Sequence, residues 1–212
     1  MTTFEKVDID KDIVKEYYEA VHYAVWDDYF PMKQFKEKYP NEYRHFSAVH
    51  RKRVLINSNV EAMKTLKSAL YFGTLTYDSK KDRNSIEYKR KEAFAYLNSL
   101  FEFVLLVEEY GEENGRYHVH FVGNFRENKT FNDFIKGWHS RQNLRLLRED
   151  ENISQYLCKY ISKQLPRIRR NKRLVALERV YNQKKALKRT FPSLYEQSMN
   201  KNIFLITAFD EL

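Results

Sequence analysis

The chain has 212 residues, of which 42% are apolar, and a formal net charge of +9. This length supports one folded domain with a full core, and the sequence contains neither an apolar run near the roughly 18 residues of a membrane span nor an N-terminal secretory signal. The single cysteine, Cys158, excludes an internal disulfide framework and predicts a reducing, cytoplasmic compartment, and none of the five glycines forms a phosphate-binding loop of a nucleotide-hydrolysing motor.

The first 70 residues carry mainly helical signals. Residues 10–38 are rich in helix formers and large aromatic side chains. A further helix is predicted from Ser58 to about Leu70, because Glu61 follows Ser58 by three residues in the pattern of a capping box. We therefore predict an N-terminal helical region over residues 1–70, followed by a second domain over residues 71–212 with a basic C-terminal extension.

The second domain mixes strands and helices in chain order. Runs rich in β-branched and aromatic residues predict strands over residues 71–77, 101–110 and 117–125, with a helix over 85–100 and a loop containing Gly111 and Gly115. The later segments predict a helix over 130–139, a candidate strand over 144–149, helices over 153–165 and 174–188, and a strand over 202–209. This order predicts an α+β fold with an antiparallel central sheet and helices on one face.

Two histidines lie one residue apart in the third predicted strand, "GRYHVHFVG", residues 115–123. Side chains at i and i+2 of a strand leave from the same face, so His118 and His120 are expected to point the same way. An isolated pair of this kind is more often a hydrogen-bonded polar pair than a metal site. The rest of the chain must decide between the two interpretations.

The helix predicted over residues 153–165 has an apolar stripe and a polar stripe. Its apolar stripe consists of Ile153, Leu157, Ile161 and Leu165, which should pack on the sheet. Tyr156 and Tyr160 are four residues apart and therefore one above the other, and Lys159 and Lys163 each follow a tyrosine by three residues. Taken alone, half-buried tyrosines with solvated lysines explain this pattern as well as an active site does.

The positive charge is concentrated in one segment. From Lys159 to Thr190 there are twelve Lys or Arg residues and one acid, Glu178, so this segment carries +11 and the remainder of the chain −2. Such an imbalance indicates a polyanion-binding surface, and nucleic acid is favoured over membrane because no strongly amphipathic apolar face accompanies the charge. The candidate DNA-binding residues are Arg167, Arg169, Arg170, Lys172 and Arg173.

Three motifs in a fixed order give the chain a family resemblance. "YFGTLTYD", "LVEEYGEENGRYHVHFVG" and "ISQYLCKYISK" resemble the three motifs of rolling-circle replication initiators in the HUH endonuclease superfamily, in which two histidines flank a hydrophobic residue. The paired tyrosines and the lysine between them are similar to the two-tyrosine branch of microviruses and some tailed phages. Relaxases of the superfamily carry their tyrosine before the histidines, so the order of motifs argues against them.

The resemblance implies a metal site and a nucleophile. His118, His120 and a carboxylate from the preceding strand would hold Mg²⁺ or Mn²⁺; the family pattern matches Glu109, although Glu108 stays open. The metal would act as a Lewis acid on the scissile phosphate. A tyrosine, Tyr156 or Tyr160, would attack phosphorus and leave a 5′-phosphotyrosine and a free 3′-hydroxyl that primes synthesis.

The tyrosine hydroxyl needs chemical assistance, because a free phenol has a pKa of about 10. A lysine one turn away can stabilise the developing negative charge, and the resemblance favours Lys159 over Lys163. Cys158 points away from this face of the helix and is expected to be a packing residue rather than a nucleophile.

Three other interpretations remain open. A non-catalytic single-strand binder would explain the charge but not the histidine and tyrosine pairs. A cupin-like oxygenase also uses two histidines and a carboxylate, but its pattern expects Glu where this chain has Phe125. A transposase of the same superfamily would share the chemistry. For an initiator, the expected partners are single-stranded origin DNA and a separate helicase and DNA polymerase from the host or the element, in the host cytoplasm and without a membrane.

Overall fold

A computed structural model describes residues 9–24, 30–66, 68–77, 85–110, 116–164, 166–190 and 192, except for the side chains at 21–24, 30, 31, 160 and 162–164. Within these residues the chain forms seven helices and five strands. In chain order they are α1 Lys11–Ala24, α2 Phe30–Lys38, α3 Pro40–Lys64, β1 Tyr71–Thr76, α4 Ile86–Leu100, β2 Phe101–Tyr110, β3 Tyr117–Phe125, α5 Phe131–Gly137, β4 Arg141–Leu146, α6 Ile153–Gln164, β5 Ile168–Arg170 and α7 Lys172–Thr190.

The five strands form one sheet in the order β4-β1-β3-β2-β5, and every neighbouring pair is antiparallel. The long β2–β3 pair lies at its centre, with Glu109 opposite His118 and Val107 opposite His120. The α+β class, the antiparallel sheet and the preceding helical region are thereby confirmed. Among the described helices, none has the length and apolarity needed to cross a bilayer.

One face of the sheet, here called the α4 face, packs against α4 and α5. Its core contains Leu75, Val104, Leu106, Val119 and Phe121 from the strands, with Ala93, Leu97 and Phe134 from the helices. Gly73 of β1 lies under this layer, where an added Cβ would collide with the Phe121 ring and stand 2.6 Å from the Asn143 carbonyl oxygen. A side chain at this position is therefore excluded by close packing.

The opposite face, here called the α6 face, packs against α3, α6 and α7. Its core contains Phe72, Leu105, Val107 and Val122 from the strands, with Ile56, Val60, Ile153, Leu157 and Leu174 from the helices. The prediction of helices on one face only was wrong in this respect. The central strands β2 and β3 carry apolar side chains on both faces, and each face therefore requires a covering layer.

The helix predicted to begin at Ser58 begins much earlier. α3 extends from Pro40, at the first helical position, to Lys64, so the predicted capping box at Ser58 and Glu61 was wrong. Ser58 lies within the helix, and its hydroxyl donates to Glu178 Oε1 on α7 at 2.8 Å. A partner 120 residues away makes the serine a link between helices rather than a cap.

Other boundaries agree with the predictions to different degrees. Predicted strands 71–77, 101–110 and 117–125 and helices 85–100, 130–139, 153–165 and 174–188 correspond to β1, β2, β3, α4, α5, α6 and α7. β4 lies three residues earlier than the candidate strand 144–149, and the short edge strand β5 was not predicted. The predicted strand over 202–209 and the loop with Gly111 and Gly115 lie outside the described residues.

Candidate active site

The two histidines of β3 lie on the α6 face, each beside a threonine of β1. The strand register pairs His118 with Thr76 and His120 with Thr74. In both pairs the histidine Nδ1 is 3.0 Å from the threonine Oγ1. The sequence analysis gave these threonines no role, although "TLT" repeats the two-residue spacing of "HVH" and so offered a signal.

These hydrogen bonds determine which ring atoms can bind a further group. With the proton on Nδ1 and donated to threonine, each imidazole presents the Nε2 lone pair outward. Metal-binding histidines are commonly oriented in this way, with the second ring nitrogen hydrogen bonded to a neighbouring group. Burial lowers the pKa of His118, and the nearby His120 and Arg116 act in the same direction while Glu109 opposes them. The neutral, metal-binding form of this imidazole is thereby favoured.

The two adjacent glutamates of β2 point to opposite faces of the sheet. Glu109 shares the α6 face with the histidines, and its Oε2 is 2.6 Å from His120 Nε2. Glu108 faces α4, where its Oε2 accepts from Arg90 Nε at 2.6 Å. This ion pair is buried, with side-chain exposures of 6% for Arg90 and 3% for Glu108. The structure thus brings Glu109, and not Glu108, to the histidines.

The donor set fits a divalent ion in chemical type. Two imidazole nitrogens and one carboxylate on the same face form a set typical of catalytic metals that keep open coordination positions. Within the described part of the chain, no three His, Cys, Asp or Glu side chains already converge as a metal cluster. Glu109 and His120 are hydrogen bonded to each other instead.

Helix α6 places Tyr156 beside His120. The buried residues Ile153 and Leu157 hold the helix against the sheet, as the predicted apolar stripe requires. The Tyr156 ring meets the Phe72 ring edge-to-face at 5.2 Å and the His120 ring at 6.2 Å between centroids. The tyrosine is nevertheless 37% exposed, so a substrate can reach it.

The remaining predicted residues of α6 differ in what the structure describes. Lys159 Nζ lies 5.6 Å from the centroid of the Tyr156 ring, so this lysine shares the site. Tyr160 and Lys163 belong to α6, but their side chains are outside the described set. Cys158 is half-buried against the α6-face core, and burial raises its pKa, in agreement with its expected packing role.

β4 adds polar residues that the sequence analysis did not single out. Through the register with β1, Arg141, Asn143 and Arg145 share the α6 face with the histidines. The Arg145 guanidinium lies 5.2 Å from the Phe72 centroid and is paired with Glu151. The alternation in "RQNLR" was the available signal, because every second residue of a strand shares a face.

Comparison with known proteins adds family evidence. A family model described as replication-associated protein ORF2 matches residues 70–165, from the start of β1 to the end of α6. This match supports a replication initiator. It spans a little under half of the chain, and it contains both histidines, both glutamates and both tyrosines. No curated protein matches the chain.

The predicted DNA-binding cations lie beyond the matched region, in β5 and at the start of α7. Several of them make contacts within the protein. The Arg169 guanidinium lies 4.3 Å from the Phe94 ring on the α4 face, Arg170 Nη1 donates to Glu178 Oε2 at 3.1 Å, and Arg173 pairs with Glu102. Arg167 and Lys172 are exposed. The five residues therefore form no single uninterrupted patch, and they lie at the β5 edge of the sheet.

Proposed function

We propose that this protein nicks and rejoins single-stranded DNA at a replication origin through a 5′-phosphotyrosine, and so initiates rolling-circle replication of a phage or plasmid. The main support is the approach of Tyr156 to His120, which itself carries Glu109, on one face of the sheet. A nucleophile beside a candidate metal-binding pair is the arrangement that this reaction needs. The family match over the same residues supports the replication role.

His118, His120 and Glu109 are the residues that would hold Mg²⁺ or Mn²⁺. When bound, the ion would supply Lewis acidity toward the scissile phosphate. Thr74 and Thr76 would keep the imidazole rings in place, since each already contacts one Nδ1 atom. The metal site would thus depend on β1 as well as on β2 and β3.

The Tyr156 phenol would lose its proton and attack phosphorus. A bond forms between the tyrosine oxygen and the phosphorus, and the bond from phosphorus to the 3′-oxygen breaks. That oxygen takes up a proton and leaves as the 3′-hydroxyl end, which primes synthesis. Lys159, one turn along α6 and 5.6 Å from the Tyr156 ring centroid, would stabilise the negative charge that develops during the attack.

Tyr160 would serve as the second nucleophile, with Lys163 following it as Lys159 follows Tyr156. After one round of synthesis the regenerated origin must be cut while the first end is still covalently attached. A second phenol one helical turn away can make that cut, and the released 3′-hydroxyl then attacks the first adduct and closes the displaced circle. Strand opening and synthesis would be supplied by a separate helicase and polymerase.

The cationic segment would contribute affinity rather than chemistry. Arg167, Arg169, Arg170, Lys172 and Arg173 give the β5 edge a positive potential that attracts the phosphate backbone. DNA is the expected polymer because the matched family is replication-associated.

Covalent adduct formation tests the proposal directly. The full-length protein would be incubated with single-stranded DNA from its own genetic element and Mn²⁺, then separated under denaturing conditions. We expect a protein–DNA adduct that is lost in the Tyr156→Phe/Tyr160→Phe double variant and retained in Tyr88→Phe, a control at an exposed tyrosine of α4. DNA binding without any adduct would reduce the protein to a single-strand binder and reject the nickase.

A further inference from the structure

A groove of about 620 Å³ lies between α4 and α7, and its walls are strongly cationic. Five of its lining side chains are positively charged: Arg126, Arg170, Lys172, Arg173 and Arg179. None of the described lining residues is acidic. We call this feature the α4–α7 groove.

Two acids next to the groove neutralise only part of this charge. Glu178 accepts from Arg170 at 3.1 Å, while Glu102 pairs with Arg173 and lies 3.9 Å from Arg126. Five cations and two anions leave an excess of three positive charges around the groove. An excess of this kind attracts a polyanion and weakens as salt rises.

The groove lies far from the histidines along the same strand. Asn171, one of its lining residues, donates from its backbone N–H to the Val104 carbonyl and from Nδ2 to the Glu102 carbonyl. Those carbonyls are near the start of β2, whereas Glu109 is near its end. Five to seven residues at about 3.3 Å each separate the two places by roughly 16–23 Å.

We propose that the α4–α7 groove binds the sugar–phosphate backbone of the DNA that flanks the nick. This inference rests on the proposed function for the identity of the polymer. The groove offers charged donors, and its aromatic side chain Phe94 is covered by the Arg169 guanidinium at 4.3 Å, so it suits phosphate contacts rather than base stacking. At about 3.4 Å of axial distance per nucleotide, the separation corresponds to about six nucleotides.

Binding of oligothymidylates of graded length, from about 4 to about 20 nucleotides, tests the groove. The measurements would use the full chain with Tyr156→Phe and Tyr160→Phe, so that no covalent reaction interferes. We expect affinity to rise once the strand is long enough to reach from the site to the groove. In the added pair Lys172→Ala/Arg179→Ala, this gain should disappear, and the slope of log K against log salt should fall in magnitude by about 1.4 for two lost contacts.

A matched control removes the same charges from the same helix outside the groove. Lys185→Ala/Arg189→Ala should keep the length dependence and most of the salt slope, because both side chains are exposed and neither lines the groove. Lys172→Arg/Arg179→Lys, which preserves charge, should restore binding. An equal loss in both alanine pairs would show that the charge of α7 acts diffusely, and an unchanged salt slope in Lys172→Ala/Arg179→Ala would equally overturn the groove.

The outcome is independent of catalysis. Adduct formation with the unmodified tyrosines is measured separately, so loss of nicking with an intact groove effect would reject the proposed chemistry alone. Normal nicking without a groove effect would reject the groove alone.

Discussion

The Tyr156 ring meets the His120 ring edge-on, with 6.2 Å between their centroids and 83° between their planes. The contact joins α6 to β3, two elements that are well separated in the sequence. It places a partly exposed phenol beside the imidazole whose Nε2 contacts Glu109. The predictions below concern the consequences of this arrangement and of the contacts around it.

Two tyrosines should share the cleavage reaction. We expect Tyr156→Phe and Tyr160→Phe to leave initial nicking at least in one of the two variants, whereas the double variant forms no adduct. Repeated turnover should require both hydroxyls, because the second cut occurs while the first tyrosine is occupied. Multiple-turnover assays with denaturing electrophoresis measure this. If either single variant cleaves and rejoins through many rounds like the parent, the alternating mechanism is wrong.

Metal dependence should extend from the histidines to the threonines of β1. His120→Ala should abolish nicking without unfolding the protein, and EDTA should do so reversibly. Thr74→Val removes the Nδ1 partner of His120 and should weaken Mn²⁺ affinity roughly 10- to 100-fold. Calorimetric titration with Mn²⁺ measures the affinity, and Thr65→Val at the end of α3 is the control. Undiminished nicking in EDTA would refute the metal site.

The Arg90–Glu108 pair should matter for stability rather than for chemistry. Arg90→Met leaves the Glu108 carboxylate buried without its partner and should lower the free energy of unfolding by roughly 3–5 kcal/mol. Arg90→Met/Glu108→Leu should recover most of this loss, since two apolar side chains leave no unpaired charge. Urea unfolding followed by circular dichroism measures both. A double variant as unstable as Arg90→Met would contradict this account.

Cys158 should react slowly and only at alkaline pH. Burial raises the pKa of its thiol, so at a given pH the folded protein holds less thiolate than a free cysteine does. The rate of alkylation by iodoacetamide should therefore increase at higher pH than for a free thiol, and unfolding in urea should remove the difference. Cys158→Ala should still form the adduct. A rate in the folded protein equal to that of a free thiol would contradict the burial argument.

Short-range patterns predicted much of this molecule. The alternation in β1 and β3 gave correct strands and the common face of His118 and His120, because a strand's periodicity is a local property. The stripe of α6 correctly predicted its packing through Ile153 and Leu157. These features depend on neighbours only a few residues away.

The features that the sequence analysis missed depend on distant partners. Ser58 resembled a cap because its contact with Glu178 on α7 is invisible in the local sequence. The choice between Glu108 and Glu109 likewise required knowing which one faces Arg90. The guanidinium of Arg169 lies on Phe94 and pairing to Glu102 engages Arg173, neither of which a count of charges along the chain can reveal. Charge counting gives the sign of a surface without its contacts.

The two neighbouring carboxylates of β2 create a folding hazard that the Arg90 contact counteracts. A slip of one residue between β2 and β3 would turn Glu108 toward the histidines and Glu109 toward α4, and the chain would still present an acid on each face. Arg90 donates from the α4 side to Glu108, so the slipped pairing would leave its guanidinium to find a carboxylate one position further along the strand. The ion pair therefore serves as an error check during folding, and it discriminates between two arrangements that hydrophobic patterning at the end of the strand barely separates.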